Sequence, residues 1–298
     1  MEFMKQLVRS SETSAAWRFL MPTILCLVVV VLYPFAFALV LSLFKANLIQ
    51  GSPQFIGIKN FIKLILHDID FWPTIKNTTI WVLGIVAAEY VFGFVTASIL
   101  NQKFPGRIFF RVLVLLPWVV PPTVSSLTWA VIYDPFTGLL NSILRNIGII
   151  QTNIAWLSSP NTAIFSCMLV RFWRGIPFVT IMLLAGLQSI NPELYESAEV
   201  DGANWLNKLT YITLPQVKTI SLVVILLRFI WTFNGFAEVY VLTQGGPGNS
   251  TLLISLLTYK TAFTYYRFGY ASSLGTIMFL ILMVPVWMYI REVKKSWS

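Results

Sequence analysis

The chain has 298 residues, of which 57% are hydrophobic and 11% are charged, and its net charge is +9. A soluble domain carries about 25% charged residues, so the composition excludes a soluble globular domain and indicates a polytopic membrane protein. The positive charge does not indicate nucleic-acid binding, because the Lys and Arg residues lie at the ends of apolar segments and form no basic patch.

Six segments are apolar enough to cross a membrane, which takes about 20 residues. They are Trp17–Phe44, Thr78–Leu100, Ile108–Ile132, Thr162–Leu187, Ile220–Leu242 and Ala271–Ile290. Pro34 interrupts the first segment, and Pro117, Pro121 and Pro122 interrupt the third. Membrane helices allow such breaks where neighbouring helices or water satisfy the freed carbonyl groups. The sequence therefore predicts an all-α integral membrane protein with six transmembrane helices.

The distribution of basic residues predicts the orientation of these spans. With the N-terminus inside, the inner segments carry eleven Lys and Arg residues and the outer segments carry seven. The short segment Asn101–Arg111 and the C-terminal tail are clearly basic, so both termini are predicted to be cytoplasmic. We expect a cytoplasmic segment at 1–16 and a six-span permease domain at 17–298. The first apolar run is too long for a cleavable signal peptide.

Metal, disulfide and nucleotide chemistry find no support in the sequence. Cys26 and Cys167 lie in apolar segments, where they are expected to be small buried residues. His67 is the only histidine, and no Cys/His/Asp cluster has the spacing of metal ligands. The glycine-rich run Gly245–Ser250 lacks the Lys and Ser/Thr of a phosphate loop. We therefore expect no cofactor in this chain, and any energy source must belong to another subunit.

One polar stretch, Tyr195–Pro215, lies between the fourth and fifth spans, on the cytoplasmic side in this topology. A helix start precedes it at Asn191–Glu193, with an N-cap, a first-turn proline and a first-turn acid. Asp201 and Gly202 predict a turn, and a second amphipathic piece follows it. A short helix-turn-helix of this kind can dock on a soluble partner, and an ordinary interhelical loop is the alternative.

This stretch resembles the cytoplasmic coupling motif of membrane subunits of bacterial ATP-binding-cassette importers, whose pattern is E-A-A, three residues, G, and later L-P. The matching residues are Glu196, Ser197, Ala198, Asp201, Gly202, Leu214 and Pro215. Ser197 replaces the first alanine, and the separation of the glycine from the proline matches the family. Segments from Phe55–Gly57 to Leu242–Pro247 look like the carbohydrate branch of the family, of the maltose type.

The resemblance implies a set of partners in the bacterial inner membrane. A second homologous permease subunit pairs with this one, two ATPase subunits bind ATP and Mg²⁺, and a periplasmic solute-binding protein delivers a carbohydrate. The motif helix lies in a groove of an ATPase subunit and transmits its closure as a rigid-body movement. Gly202 permits the turn, and Glu196 faces basic groups or donors of the partner. The chain itself catalyses nothing.

Three arginines lie inside predicted spans, where each costs about 2.5–3.5 kcal/mol on insertion scales. They belong to two helical faces, each with the spacing i, i+3, i+4 and i+7. These faces carry Arg171, Arg174, Gly175 and Phe178 on the fourth span, and Arg228, Trp231, Thr232 and Gly235 on the fifth. The resemblance implies that all of them except Thr232 match positions that line the sugar site of the maltose-type subunit, where the lining is largely neutral.

Arginine binds carboxylate or phosphate bidentately, and the rings of Trp231 and Phe178 can stack on sugars. We therefore expect an acidic oligosaccharide, such as a fragment of an alginate-like uronate polymer. A neutral oligosaccharide and a glycerol phosphate-type solute are the alternatives. Glu89 and Glu238 are available to pair with the arginines, either for structure alone or as a gate. Other tryptophans, including Trp118, are expected at interfaces or in packing.

Two other classes of protein compete with the importer subunit. An ion-coupled secondary transporter working alone needs no docking stretch and usually shows an inverted repeat or paired broken helices. No such repeat is evident in the sequence. A structural membrane scaffold is the weaker competitor. Transport without any ATPase subunit would favour the secondary transporter.

Overall fold

The computed structural model describes residues 17, 19–47 and 51–296, apart from the side chain of Ser296. The cytoplasmic segment expected at 1–16 lies outside the described residues. The chain divides into two compact units. The first combines Met1–His67 with Thr258–Ile277, and the second combines Asp68–Leu257 with Met278–Ser298.

The first unit contains the first apolar helix and a small hairpin. Its elements are α1 (Phe19–Leu41), β1 (Phe44–Lys45), β2 (Gln54–Phe55) and α2 (Lys59–His67). The two strands pair antiparallel, with Phe44 opposite Phe55. The buried Asn60 side chain ties α2 to the end of α1, because its Nδ2 donates to the carbonyl oxygens of Ser42 and Phe44 at 2.8 and 3.0 Å.

The second unit contains most of the helices. They are α3 (Phe71–Asn101), α4 (Arg107–Val119), α5 (Pro122–Ile132), α6 (Leu139–Asn146), α7 (Pro160–Gln188), α8 (Pro192–Val200), α9 (Trp205–Lys208), α10 (Leu214–Gln216), α11 (Lys218–Phe233) and α12 (Ala237–Leu242). Two further helices have residues in both units, α13 (Ile254–Tyr259) and α14 (Phe268–Ser296). The prediction of an all-helical membrane protein is confirmed.

Five helices of the described chain are long and apolar enough to cross a membrane. They are Phe19–Leu41, Phe71–Asn101, Pro160–Gln188, Lys218–Leu242 and Phe268–Lys295. The third predicted span differs from a single helix, because α4 and α5 meet at a bend of 94°. Val120 has an extended backbone, and Pro121 offers no N–H to continue the helix. The count is six spans when this bent pair is one span.

The second, fourth and fifth spans form the packed centre of the second unit. Helix α3 packs along α7, and α11 lies against both. Gly93 allows α3 to approach α7 closely, because a Cβ at this position would lie only 2.6 Å from the Val179 side chain. Apolar residues such as Leu183 and Val224 fill the layer toward one end of these helices. The polar side chains of these three helices therefore meet outside this apolar layer, at another level along the helix axes.

Candidate functional site

A buried ion pair joins the second and fifth spans. Arg228 on α11 presents two N–H groups to Glu89 on α3, with Nε 2.6 Å from Oε2 and Nη2 bonded to Oε1. Glu89 is completely buried and the Arg228 side chain is 6% exposed. A bidentate arginine–carboxylate pair is among the strongest arrangements of charged hydrogen bonds. The cost of burying each charge is therefore offset by its partner.

The other two arginines share a second buried acid. Glu238, at the start of α12, accepts from Arg174 Nη1 at 2.7 Å and from Arg171 Nη1 at 3.2 Å. Arg171 Nη2 also donates to the carbonyl oxygen of Trp231 at 3.0 Å, and Arg174 Nε donates to that of Val120 at 3.3 Å. The break between α4 and α5 leaves the Val120 carbonyl free to accept this bond.

A cavity of about 180 Å³ opens beside these ion pairs. Its lining residues are Trp118, Arg171, Arg174, Gly175, Arg228 and Trp231. Phe178, which helical spacing also assigned to the lining, does not line this cavity, and its ring lies edge-on to Trp231 with a centroid distance of 4.8 Å. The cavity therefore combines two indole rings with guanidinium groups, a composition that suits a sugar ring that carries an acid.

The charges around the cavity do not cancel. Three arginines face two glutamates, so the cluster carries one surplus positive charge when all five groups are ionised. Arg171 Nε is buried and has no hydrogen-bond partner among the described residues. An unpaired buried donor costs about 1–3 kcal/mol. An anionic group in the cavity would relieve both the surplus charge and the charge repulsion among the arginines.

Two residues assigned to the lining by helical spacing lie in the packed interior instead. Thr232 is fully buried, and its carbonyl accepts from Trp81 Nε1 at 3.1 Å. The same indole covers Gly235, where a Cβ would lie 3.1 Å from Trp81 Nε1. Helix α11 ends at Phe233, so Gly235 lies beyond the helix and does not belong to the face that carries Arg228 and Trp231. Trp81 is therefore a packing residue, as expected.

Sequence reasoning missed the role of Trp118, which it assigned to packing. The residue lines the cavity because α4 ends one residue later, at Val119, and the chain then turns away. The only signal for this in the sequence is the nearby Pro121-Pro122 pair. No group of three or more His, Cys, Asp or Glu side chains in the described chain could hold a metal ion.

The polar stretch between the fourth and fifth spans folds as two short helices with a turn between them. Helix α8 starts as predicted, because the Asn191 side chain accepts from the Glu193 N–H at 3.1 Å and Pro192 lies in the first turn. The turn places Gly202 at φ +77°, a region that disfavours residues with a Cβ. Asn204 then caps α9 by accepting from Asn207 N–H at 2.9 Å.

Side-chain contacts hold the two halves of this stretch together. Lys208 Nζ lies 2.6 Å from Glu199 Oε1, and the hydroxyl groups of Tyr195 and Thr213 are 3.0 Å apart. A π turn at Leu209–Thr213 carries the chain to Leu214 and Pro215, which lie in the short helix α10. Helix α11 follows directly, so the stretch connects to the fifth span without a flexible linker.

The solvent-facing surface of this stretch carries large apolar side chains among polar ones. Val200, Trp205 and Tyr211 are 89%, 74% and 79% exposed. Glu196, Ser197, Asp201, Gly202 and Pro215 are exposed as well, and Ala198 is half-buried. Large exposed apolar side chains among polar neighbours mark protein interaction sites. The stretch therefore has the form of a rigid docking element.

Comparisons with known proteins agree over nearly the full chain. Residues 89–291 match the family model of the binding-protein-dependent transport system inner membrane component. The trehalose/maltose transport system permease protein MalF of Thermococcus litoralis is 33% identical over 94% of this chain and 94% of its own. The sulfoquinovosyl glycerol transport system permease protein SmoG of Agrobacterium fabrum is 32% identical over 92% of this chain and 89% of its own.

A solved structure has the same fold. One chain in the crystal structure of a bacterial alginate ABC transporter, in complex with its alginate pentasaccharide-bound periplasmic protein, aligns with a TM-score of 0.81 at 24% identity. The alignment covers 97% of this chain and 96% of the other. At this level of identity the likeness establishes the fold alone.

Proposed function

Since this chain belongs to the family of binding-protein-dependent transport system inner membrane components, we propose that it forms half of the pathway through which an ATP-driven importer carries an acidic oligosaccharide. The chain is a non-catalytic permease subunit of this transporter class. A carbohydrate as substrate is supported by the relatives, whose names refer to maltose, trehalose and a sulfoquinovosyl glycerol. The first two sugars are neutral, and the third carries a sulfonate.

The observation that carries the acidic substrate is the surplus positive charge beside the cavity. The Arg171 side chain is 13% exposed, and it shares Glu238 with Arg174, whose contact is shorter at 2.7 Å. A substrate carboxylate can therefore bind Arg171 while Arg174 keeps Glu238. Trp118 and Trp231 offer flat apolar faces to the sugar ring, which suits the C–H face of a pyranose.

The chain acts with partners in this proposal. A second permease subunit completes the cavity, two ATPase subunits bind ATP and Mg²⁺, and a periplasmic binding protein delivers the sugar. Both termini and the Tyr195–Pro215 stretch lie in the cytoplasm, where the exposed side chains of Val200, Trp205 and Tyr211 enter a groove of an ATPase subunit. The short link to α11 passes the closure of the ATPases to the arginine cluster as a rigid-body movement.

The test is the stimulation of ATP hydrolysis in the reconstituted complex. The purified assembly is mixed with its binding protein loaded with an oligouronate or with a neutral oligosaccharide of the same length. We expect the acidic sugar to stimulate hydrolysis and uptake, and the neutral sugar to leave both near the basal rate. Equal stimulation by the two sugars would contradict the acidic substrate and leave the importer role intact.

A neutral oligosaccharide is the second candidate, and one observation favours it. All three arginines already have carboxylate partners, so the ion pairs can serve packing alone. In that case the cavity would select its sugar by stacking on Trp118 and Trp231. Stimulation by the neutral sugar alone would support this candidate.

A further inference from the structure

The first unit contains a larger cavity that shares no lining residue with the arginine cluster. Its volume is about 500 Å³. The charged and aromatic residues in its wall are Lys45, Lys59, Lys63, Arg267, Tyr265 and Tyr270. No Asp or Glu lines it. We call this cavity the basic cleft.

The positive charges of the basic cleft have no ion-pair partner in the described part of the chain. Lys59 and Lys63 are four residues apart on α2 and so lie on the same helical face, where like charges destabilise a helix. Lys63 Nζ lies 5.7 Å from the centre of the Tyr270 ring, a cation–π contact. This arrangement favours an anionic ligand.

Backbone hydrogen bonds hold the walls of the cleft in place. The segment after α13 is fixed by Tyr265 N–H, which donates to Lys260 O at 2.9 Å, and by Arg267 N–H, which donates to Thr261 O at 2.9 Å. Gly269 N–H donates to Ala46 O at 3.1 Å, and a Cβ at Gly269 would collide with the carbonyl of Phe44. The cleft is thus a preformed site.

One residue next to this wall has a strained backbone. Tyr266 has φ +56°, which is unfavourable for a bulky residue. It lies between Tyr265 and Arg267, both of which line the cleft. Strain of this kind costs about 1–3 kcal/mol and is retained where the position of neighbouring side chains matters, as at ligand clamps. The strained conformation therefore supports a binding role for its two neighbours.

We propose that the basic cleft is a second binding site for an acidic sugar, outside the central cavity. The ligand is a carboxylate- or sulfate-bearing oligosaccharide: the four cations hold its anionic groups, and Tyr265 and Tyr270 pack against its rings. The inference rests on the proposed function for the class of sugar. In the proposed topology the cleft opens on the outer side of the membrane. A phosphatidylglycerol head group offers the cations an anion but has no ring for the tyrosines.

The experiment measures hydrogen–deuterium exchange in the complete transporter, embedded in nanodiscs of neutral phosphatidylcholine. Trigalacturonate is the acidic probe, and maltotriose is the neutral probe of the same length. Peptides covering 54–67 and 260–270 report on the basic cleft, and peptides covering 165–178 and 225–238 report on the central cavity. The cleft variant Lys63→Gln/Arg267→Gln is compared with Lys76→Gln/Arg145→Gln, which removes two exposed cations elsewhere.

We expect trigalacturonate to slow exchange in the cleft peptides, and maltotriose to leave them unchanged. The cleft variant should weaken this effect about tenfold or more in apparent affinity, because charged hydrogen bonds are lost, while the control variant retains it. Protection of the central peptides alone would overturn the basic cleft as a sugar site and leave the proposed function standing. Protection of neither set would likewise overturn the basic cleft as a sugar site, while the proposed function is tested separately with the loaded binding protein.

Three further outcomes would also overturn the proposal. Equal protection by maltotriose would mean that the cleft does not select an anion. Protection that appears in phosphatidylglycerol nanodiscs without sugar, and does not increase with trigalacturonate, would identify a lipid head group as the ligand. Unchanged trigalacturonate affinity in the folded cleft variant would exclude the two cations from binding.

Discussion

The guanidinium group of Arg228 lies against the carboxylate of Glu89, with Nε 2.6 Å from Oε2, although 139 positions separate the two residues in the chain. Gly175, on a third helix, passes so close that a Cβ there would collide with the Glu89 carboxylate and with Arg228 Nη2. Three spans therefore meet at one charged contact. The packing of the helices and the charge of the cavity wall depend on the same atoms.

Replacement of Glu89 by glutamine should destabilise the protein strongly. Arg228 would keep its charge in a buried position without a carboxylate, and the loss of one partner of a buried pair costs about 3–5 kcal/mol. The unfolding midpoint of the detergent-solubilised subunit measures the effect. The double variant Glu89→Gln/Arg228→Gln should lower the unfolding midpoint by less than the sum of the decreases in the two single variants. Additive losses would mean that the two residues do not interact.

Replacement of Gly175 by alanine should separate the Glu89 carboxylate from the Arg228 guanidinium without removing either charge. The new methyl group would displace the Glu89 carboxylate, so the unfolding midpoint should fall and transport should be impaired. Gly275→Ala is the matched control, because a Cβ at Gly275 meets no atom within 4 Å. Equal behaviour of the two variants would show that the Gly175 position tolerates a side chain.

Replacement of Arg171 by glutamine should change the choice of substrate more than the fold. The variant removes the surplus positive charge, while Arg174 keeps its contact with Glu238 at 2.7 Å. Loss of a hydrogen bond to a charged group is worth about 1.5–3 kcal/mol, so uptake of an oligouronate should fall roughly 10- to 100-fold in kcat/KM. Uptake of any neutral sugar should be unaffected. Arg145→Gln, at an exposed position, controls for the loss of a cation. If both variants reduce oligouronate uptake equally, Arg171 does not recognise the acid.

Replacement of Gly202 by valine should uncouple ATP hydrolysis from transport. Its φ of +77° is costly for a residue with a Cβ, by about 1–2 kcal/mol, so the turn between α8 and α9 should change its geometry. The readout is the number of ATP molecules hydrolysed per sugar imported, with the affinity of the binding protein as the internal check. Gly202→Asn is the control, since asparagine tolerates this backbone region. Normal coupling in the valine variant would remove the turn from the mechanism.

Replacement of Trp205 by serine should weaken attachment of the ATPase subunits. The side chain is 74% exposed, and exposed aromatic residues commonly provide most of the energy of an interface. We expect at least about a tenfold loss of ATPase subunit on co-purification, with no change in the unfolding midpoint of the permease. Trp72→Ser tests an exposed tryptophan at a distant point in the sequence. Loss of the ATPase in both variants would indicate a general defect.

The sequence was sufficient to predict the spans, because long apolar runs have few alternatives in a membrane protein. It also predicted the cap at Asn191 and the turn at Gly202, which depend only on neighbouring residues. The breaks were harder to predict. Pro121 and Pro122 indicated an interruption but could not give its angle of 94°, which depends on how α4 and α5 pack against other helices.

The pairing of the buried charges could not be predicted from the sequence. Helical spacing placed the arginines on two faces, but their acids come from other elements at long separation, and only the packing of α3, α7, α11 and α12 decides which pairs form. The same limit applied to Thr232 and Gly235, because both pack against Trp81 of another helix, and helical spacing alone does not show that contact. The basic cleft had one local signal, the i, i+4 spacing of Lys59 and Lys63.

The bend between α4 and α5 leaves the Val120 carbonyl oxygen free to accept a hydrogen bond from a side chain. In an uninterrupted third span, the Val120 carbonyl would accept a hydrogen bond from a backbone N–H of the same helix. Arg174 Nε, which now donates to this carbonyl, would then need another acceptor. Pro121 therefore contributes to the guanidinium's orientation, although it does not line the cavity. Related permeases with a straight third span should need a different side chain at position 174. The number and position of prolines in this span therefore decide which backbone carbonyls can hold an arginine of the fourth span.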